Sequence, residues 1–171
     1  MKEADAESLE TKSPIPWKAI LVPTDFSERS EEALKTAICL AERCGAKISL
    51  LHVAQLPNSG CFEAGTAADE VMNSAREALD EIANEIPSAP IGEKLVCFGA
   101  WGTFQKIVET AREISADLIV MATHGYDAFK RALLGSAAEY VIRHGPCPVL
   151  VVRQKQDYQQ PKPAARLERK L

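Results

Sequence analysis

The sequence predicts an α/β fold built on a single parallel sheet, and three observations carry that expectation. Short apolar runs, each about the length of a strand, recur five times along the 171 residues. The four stretches between them place apolar residues three and four positions apart, the spacing of an amphipathic helix. Several runs are near-continuous in Val, Ile and Leu, which fits strands buried on both faces. Strands and helices that alternate in this way form a parallel sheet with helices on both sides.

In chain order, Ala19 to Val22 is the first run, and Pro23 halts it where a strand gives way to a turn. Ser27 is placed to cap a helix whose apolar positions Ala33, Leu34, Ala37, Ile38, Ala41 and Cys44 share one face, and Gly45 closes it. Residues 47–53 (KISLLHV) are the second strand. A loop with Pro57, Asn58, Gly60 and Gly65 leads to a long amphipathic helix marked by Val71, Met72, Ala75, Ala78, Leu79, Ile82 and Ile86. Residues 93–99 (EKLVCFG) are the third strand, and Phe104, Ile107, Val108, Ala111 and Ile114 outline the third helix. Residues 117–122 (DLIVMA) supply the fourth strand, 136–144 a short helix, and 148–152 (PVLVV) the last strand. The expected arrangement is a doubly wound, Rossmann-like, five-stranded sheet in strand order 3-2-1-4-5, joined by right-handed crossovers.

In such a sheet the strand order reverses between the first and fourth strands, and ligands bind in the crevice beyond the strand ends at that point. The connections that meet there are Pro23-Thr24-Asp25 and the segment from Ala122 to Gly135. Gly125, just past the strand, lets the backbone turn tightly or approach a ligand with no Cβ in the way. Gly135 precedes a helix and leaves its first amides unobstructed, and those amides with the helix dipole favour an anion such as phosphate. Asp25 suits the opposite task, because a carboxylate accepts hydrogen bonds from a sugar hydroxyl or a base amino group and repels phosphate. The set describes a nucleotide, with base and ribose towards Asp25 and phosphates towards Gly125 and Gly135.

Plainer readings stand beside this one. Ser136 and Glu139 have the S-x-x-E spacing of a capping box, which would satisfy the helix amides with no ligand. Gly125 reads equally as a turn residue, and Asp25 as a cap for the region of Ser27. His124 could donate to a phosphate and Lys130 and Arg131 could reach its oxygens, yet such loop side chains are more often simply solvated. The patterns G-x-x-x-x-G-K-[ST] and G-x-G-x-x-G are both absent. So are G-x-S-x-G and H-E-x-x-H, which argues against a serine hydrolase or a zinc enzyme.

Charge and composition narrow the function further. A net charge of −4 argues against general nucleic-acid binding. Residues 1–16 carry −2 and residues 154–171 carry +3, so the middle holds about −5. The ends are expected to be a flexible N-terminal tail (1–16) and a basic, mobile C-terminal tail (154–171), flanking one domain at 17–153. No apolar run reaches the roughly 18–20 residues that cross a bilayer, and the polar, acidic N-terminus is unlike a signal peptide, so a cytoplasmic location is expected. The five cysteines, at 39, 44, 61, 97 and 147, form no C-x-x-C pair and are expected to be reduced thiols, mostly core filler. Cys61 is the one in a polar stretch.

Four blocks, ILVPTDFSERSEEAL, GAKISLLHV, ADLIVMATHG and LLGSAAEYVIRHGPCPVLVVR, closely resemble the universal stress protein family over about residues 17–153. The resemblance implies an adenine-nucleotide-binding α/β domain, commonly a homodimer whose last strands pair, made in response to starvation, oxidants or other insults. ATP-binding members carry G-x-x-G, nine residues, then G-[ST]; here Ala122-Thr123-His124-Gly125 and Gly135-Ser136 stand at those places, with Ala122 in place of the first glycine. That substitution adds a methyl where the backbone would approach phosphate, and Asp127 adds a nearby carboxylate. The nucleotide-binding residues so implied are Pro23, Thr24, Asp25, Val53, Gly99, Ala122, His124, Gly125, Gly135, Ser136 and Ala137.

The function expected is that of a regulator or sensor binding ATP or AMP, with Mg²⁺ as an optional companion, and no membrane or nucleic-acid partner. No residue is evidently placed to orient an attacking water, so at most a slow ATPase is expected. The alternative is a dimeric, stress-related interaction module with a vestigial pocket, which Ala122 and Asp127 favour and which would recruit a further protein partner. The apolar last strand is an edge that pairing with a second copy would cover.

Overall fold

Ser27 starts the first helix, Glu28–Cys44 (α1), by accepting a hydrogen bond from the Ser30 amide at 3.3 Å. Gly45 ends it in the left-handed region at φ 70°, where a residue with a Cβ would be strained. These local signals recur along a computed structural model that describes residues 17–55, 66–99, 102–123 and 135–153. The element order is β1 (Ala19–Pro23), α1, β2 (Lys47–Ala54), α2 (Thr66–Glu85), β3 (Ile91–Phe98), α3 (Thr103–Glu113), β4 (Leu118–Ala122), α4 (Ser136–His144) and β5 (Val149–Val152).

The five strands form one sheet in the order β3-β2-β1-β4-β5, with every neighbouring pair parallel. The class and strand order are those expected from the apolar pattern. Alternation along each strand sends side chains to two cores. Ile20, Val22, Ile48, Leu50, Leu118 and Val120 pack with Ala33, Leu34 and Ala37 of α1 and Leu79 of α2. Leu21, Leu51, Val53, Ile119 and Met121 pack with Ile107, Val108 and Ala111 of α3 and Ala138 and Val141 of α4. Each large side chain so enclosed contributes about 1.5–3 kcal/mol.

Two details set the geometry at the reversal. The Asp117 carboxylate accepts hydrogen bonds from the amides of Lys18 at 2.8 Å and Ala19 at 3.0 Å, which locks the start of β4 to the start of β1. β1 and β4 then pair at Ile20 with Leu118 and Leu21 with Ile119, whereas β1 pairs with β2 at five positions. Beyond Leu21 and Ile119 the two central strands part.

Several boundaries differ from the sequence expectation. β3 begins at Ile91, aided by a shift of register against β2 between Ile48 and Leu50, and it ends at Phe98, so Gly99 lies beyond it. Ile114 is the C-terminal cap of α3 and not part of it. The capping box at Ser136 and Glu139 does not form. Gly135 itself takes the extended cap conformation (φ −72°, ψ 154°), which makes Ser136 the first helical residue, and the Glu139 carboxylate pairs with Arg143 at 2.8 Å. Cys39, Cys44, Cys97 and Cys147 are free thiols; Cys44, Cys97 and Cys147 are half-buried and pack against the two cores, whereas Cys39 is exposed. Cys61 lies outside the described residues. Among the described residues no helix is long and apolar enough to cross a membrane.

Candidate functional site

The turn after β1 is held by its own short polar side chains. Thr24 donates its amide to the Leu51 carbonyl at 2.8 Å, continuing the β1–β2 ladder by one bond. Its hydroxyl donates to Ser30 Oγ at 3.1 Å and accepts from the Phe26 amide at 3.1 Å. Asp25 Oδ1 accepts from both the amide (3.2 Å) and the hydroxyl (2.6 Å) of Ser27, so the capping role considered for Asp25 is present. Phe26 sits at φ 62°, a region costly for a bulky residue, and its ring stacks on His52 with centroids 4.4 Å apart. His52 Nδ1 lies 2.9 Å from the Thr24 carbonyl; since a carbonyl only accepts, Nδ1 carries the hydrogen.

The opposite connection returns to the same place. The Thr123 amide bonds to the Val152 carbonyl at 3.1 Å, and the Gly135 amide bonds to the Thr123 carbonyl at 2.8 Å. That second bond sets the N-terminus of α4 beside the end of β4. Among the described residues no side chain caps α4, so its leading amides point out of the helix without a side-chain acceptor there.

Between the two connections lies a cavity of about 590 Å³, within the usual range for small-molecule sites. Pro23, Thr24, Asp25, Ser30 and His52 line it on one side, and Ala122, Thr123, Gly135, Ser136 and Ala137 on another. Leu51, Val53, Phe104, Ile107 and Met121 add an apolar wall, with Gln55 and Thr103 at its edge. Asp25 is the only carboxylate among the described lining residues, and none of them is a Lys or Arg.

Of the expected residues, Pro23, Thr24, Asp25, Val53, Ala122, Gly135, Ser136 and Ala137 thus meet at one cavity. Gly99 does not line it. A Cβ there would come within 2.9 Å of Val53 Cγ1, so Gly99 bears on the site by leaving room for Val53. His124 and Gly125 lie outside the described residues, as do Asp127, Lys130 and Arg131. Sequence reasoning missed Ser30, Leu51, His52, Gln55, Thr103, Phe104, Ile107, Met121 and Thr123. Leu51 and Met121 were within reach, because each lies two residues or fewer from an expected residue on the same strand. Gln55 and Thr103 follow from extending the strand-end rule to β2 and β3 as well.

The sequence and fold have well-matched relatives. The model of the universal stress protein family matches residues 16–153. A Staphylococcus aureus (strain USA300) chain named for the universal stress proteins is 32% identical over 149 residues, covering 83% of this chain and 87% of its own length. The solved structure of the universal stress protein UspA from Lactobacillus plantarum superposes with a TM-score of 0.70 at 26% identity, covering 81% of this chain and 99% of that one. Two more universal stress proteins share the fold at 24% identity, one solved in complex with cAMP (TM-score 0.60; 81% of this chain, 98% of that one) and the other, from Archaeoglobus fulgidus, with dAMP (TM-score 0.53; 80% and 98%). A family match over nearly all of the described residues, on a sheet with this strand order, makes the chain a member of the universal stress protein family.

Proposed function

We propose that this chain binds an adenine nucleotide, ATP or AMP, in the crevice between β1 and β4, and acts as a regulator or sensor in the stress response, hydrolysing ATP slowly at most. One observation supports this above the others: a single cavity joins Asp25, the apolar Val53 and a helix N-terminus that no side chain caps among the described residues. The leading amides and dipole of α4 suit phosphate, and Asp25 suits hydroxyl or amino donors. The cAMP and dAMP complexes give adenine nucleotides a precedent in the family, but at 24% identity they carry only the fold here. Mg²⁺, when bound, would come with the phosphates and keep most of its waters. Among the described residues no three His, Cys, Asp or Glu side chains are grouped to hold a metal.

The unit doing this is residues 17–153, with tails at 1–16 and 154–171, working in the cytoplasm as a homodimer paired through β5. Differential scanning calorimetry of the full chain with AMP, ATP and ATP–Mg²⁺ tests the proposal. Nucleotide at a hundredfold excess over its dissociation constant adds about 2.7 kcal/mol, a rise of roughly 5–10 °C in Tm. No shift at millimolar nucleotide would sink it in favour of the second reading, an interaction module with a vestigial pocket. The presence of Ala122 in the cavity lining is the observation on that side.

A further inference from the structure

The part of the cavity walled by β2 and α3 differs in its chemistry from the rest. Val53, Ile107 and Met121 are buried there and, with Phe104, give it apolar walls. Tyr140 backs the Phe104 ring, with centroids 6.1 Å apart and planes tilted by 43°. One polar pair stands at the edge of this wall. Gln55, the residue after β2, donates from Nε2 to the Oγ1 of Thr103, the first residue of α3, at 2.8 Å. Both side chains line the cavity. Their mutual bond consumes one amide donor and one hydroxyl lone pair. The Gln55 carbonyl oxygen remains, and it accepts no hydrogen bond among the described residues; the Thr103 hydroxyl hydrogen remains beside it.

We propose that Gln55 and Thr103 read the edge of a bound purine and select a 6-amino base over a 6-oxo one. The proposal rests on the adenine-nucleotide reading above and adds the residues that decide the base. An adenine edge offers an amino donor next to a ring-nitrogen acceptor, the complement of a carbonyl oxygen next to a hydroxyl. A hypoxanthine edge puts O6 where that amino group stood, so two acceptors face each other unpaired. The apolar walls hold the ring flat but cannot tell bases apart, since stacking on an aromatic face tolerates every base. Discrimination must therefore come from the edge. The placement also suits the phosphate end, because β2 and β4 are two strand spacings apart, on the order of 10 Å, which a mononucleotide bridges.

Calorimetric titration of the full chain with AMP and with IMP decides the matter, with a melt of each unliganded variant to confirm folding. Wild-type protein should bind AMP roughly tenfold more tightly than IMP. Gln55→Leu should weaken AMP and bring the AMP-to-IMP ratio close to one. Thr103→Val should release the amide to turn its NH₂ inward, so that IMP gains relative to AMP. Equal binding of AMP and IMP by the wild type, or a ratio that neither variant moves, overturns the assignment while nucleotide binding stands. Failure of the wild type to bind either ligand overturns the nucleotide reading itself, and this assignment with it.

Discussion

Ala122 is the residue on which the two functional readings divide. It lines the cavity at the end of β4. Ala122→Gly should raise affinity for AMP several-fold while lowering stability by about 0.5–1 kcal/mol, the entropic cost of glycine in a strand. Titration calorimetry and urea melts separate the two effects, and an unchanged affinity would show that the methyl does not limit the pocket. The thiols make a second residue-level prediction. Burial raises Cys97, a shift partly opposed by the nearby Lys106 ammonium; burial raises Cys147 as well, helped by the Asp117 carboxylate. Both should alkylate with iodoacetamide at neutral pH more slowly than the exposed Cys39. Because the folded state holds these two protons more firmly than the unfolded one, their stabilising effect is complete below the ordinary thiol range, about pH 8.5, and is lost as pH rises through their folded values. Chemical melts between neutral and alkaline pH should fall accordingly, and less so in a variant with both residues changed to Ala. Part of the site was legible at this scale, since Asp25 is recognisable from its place just past an apolar run and Gly135 from its place before a helix, whereas Val53 came from the family resemblance. The S-x-x-E spacing misled, because spacing alone does not say which residue adopts the extended cap; Gly135 takes that place, one residue before Ser136.

At the scale of elements, the Asp117 carboxylate is the joint between β1 and β4. Asp117→Ala removes the acceptor of two backbone amides and should cost about 1–3 kcal/mol in urea denaturation. Nucleotide affinity should fall with it, because both strands feed the crevice; a destabilised variant with intact affinity would show that the joint serves stability alone. The strands and helices were legible because every strand carries apolar residues on two faces and every helix on one. The contact between the two polar residues of the wall formed by β2 and α3 was not. Gln55 and Thr103 are ordinary polar residues 48 positions apart, and only the parallel pairing of β2 with β3 brings them within 2.8 Å.

For the whole molecule, β5 is the outer strand beside β4, and Leu150 on it is 36% exposed, with Ile142 of α4 at 48%. If β5 is the pairing edge of a homodimer, Leu150→Lys should shift sedimentation from dimer to monomer while the melt of the folded chain changes little. A wild-type monomer at the same concentration would refute the pairing. The short ladder between β1 and β4 has a consequence for the position of any guest. Their hydrogen bonding stops at Leu21 and Ile119, and the chain continues past that point on both sides, so the hollow is a fork in the sheet created as the strands zip together. Where a guest would sit is therefore settled by the pairing of the two central strands, before any side chain of the crevice is considered.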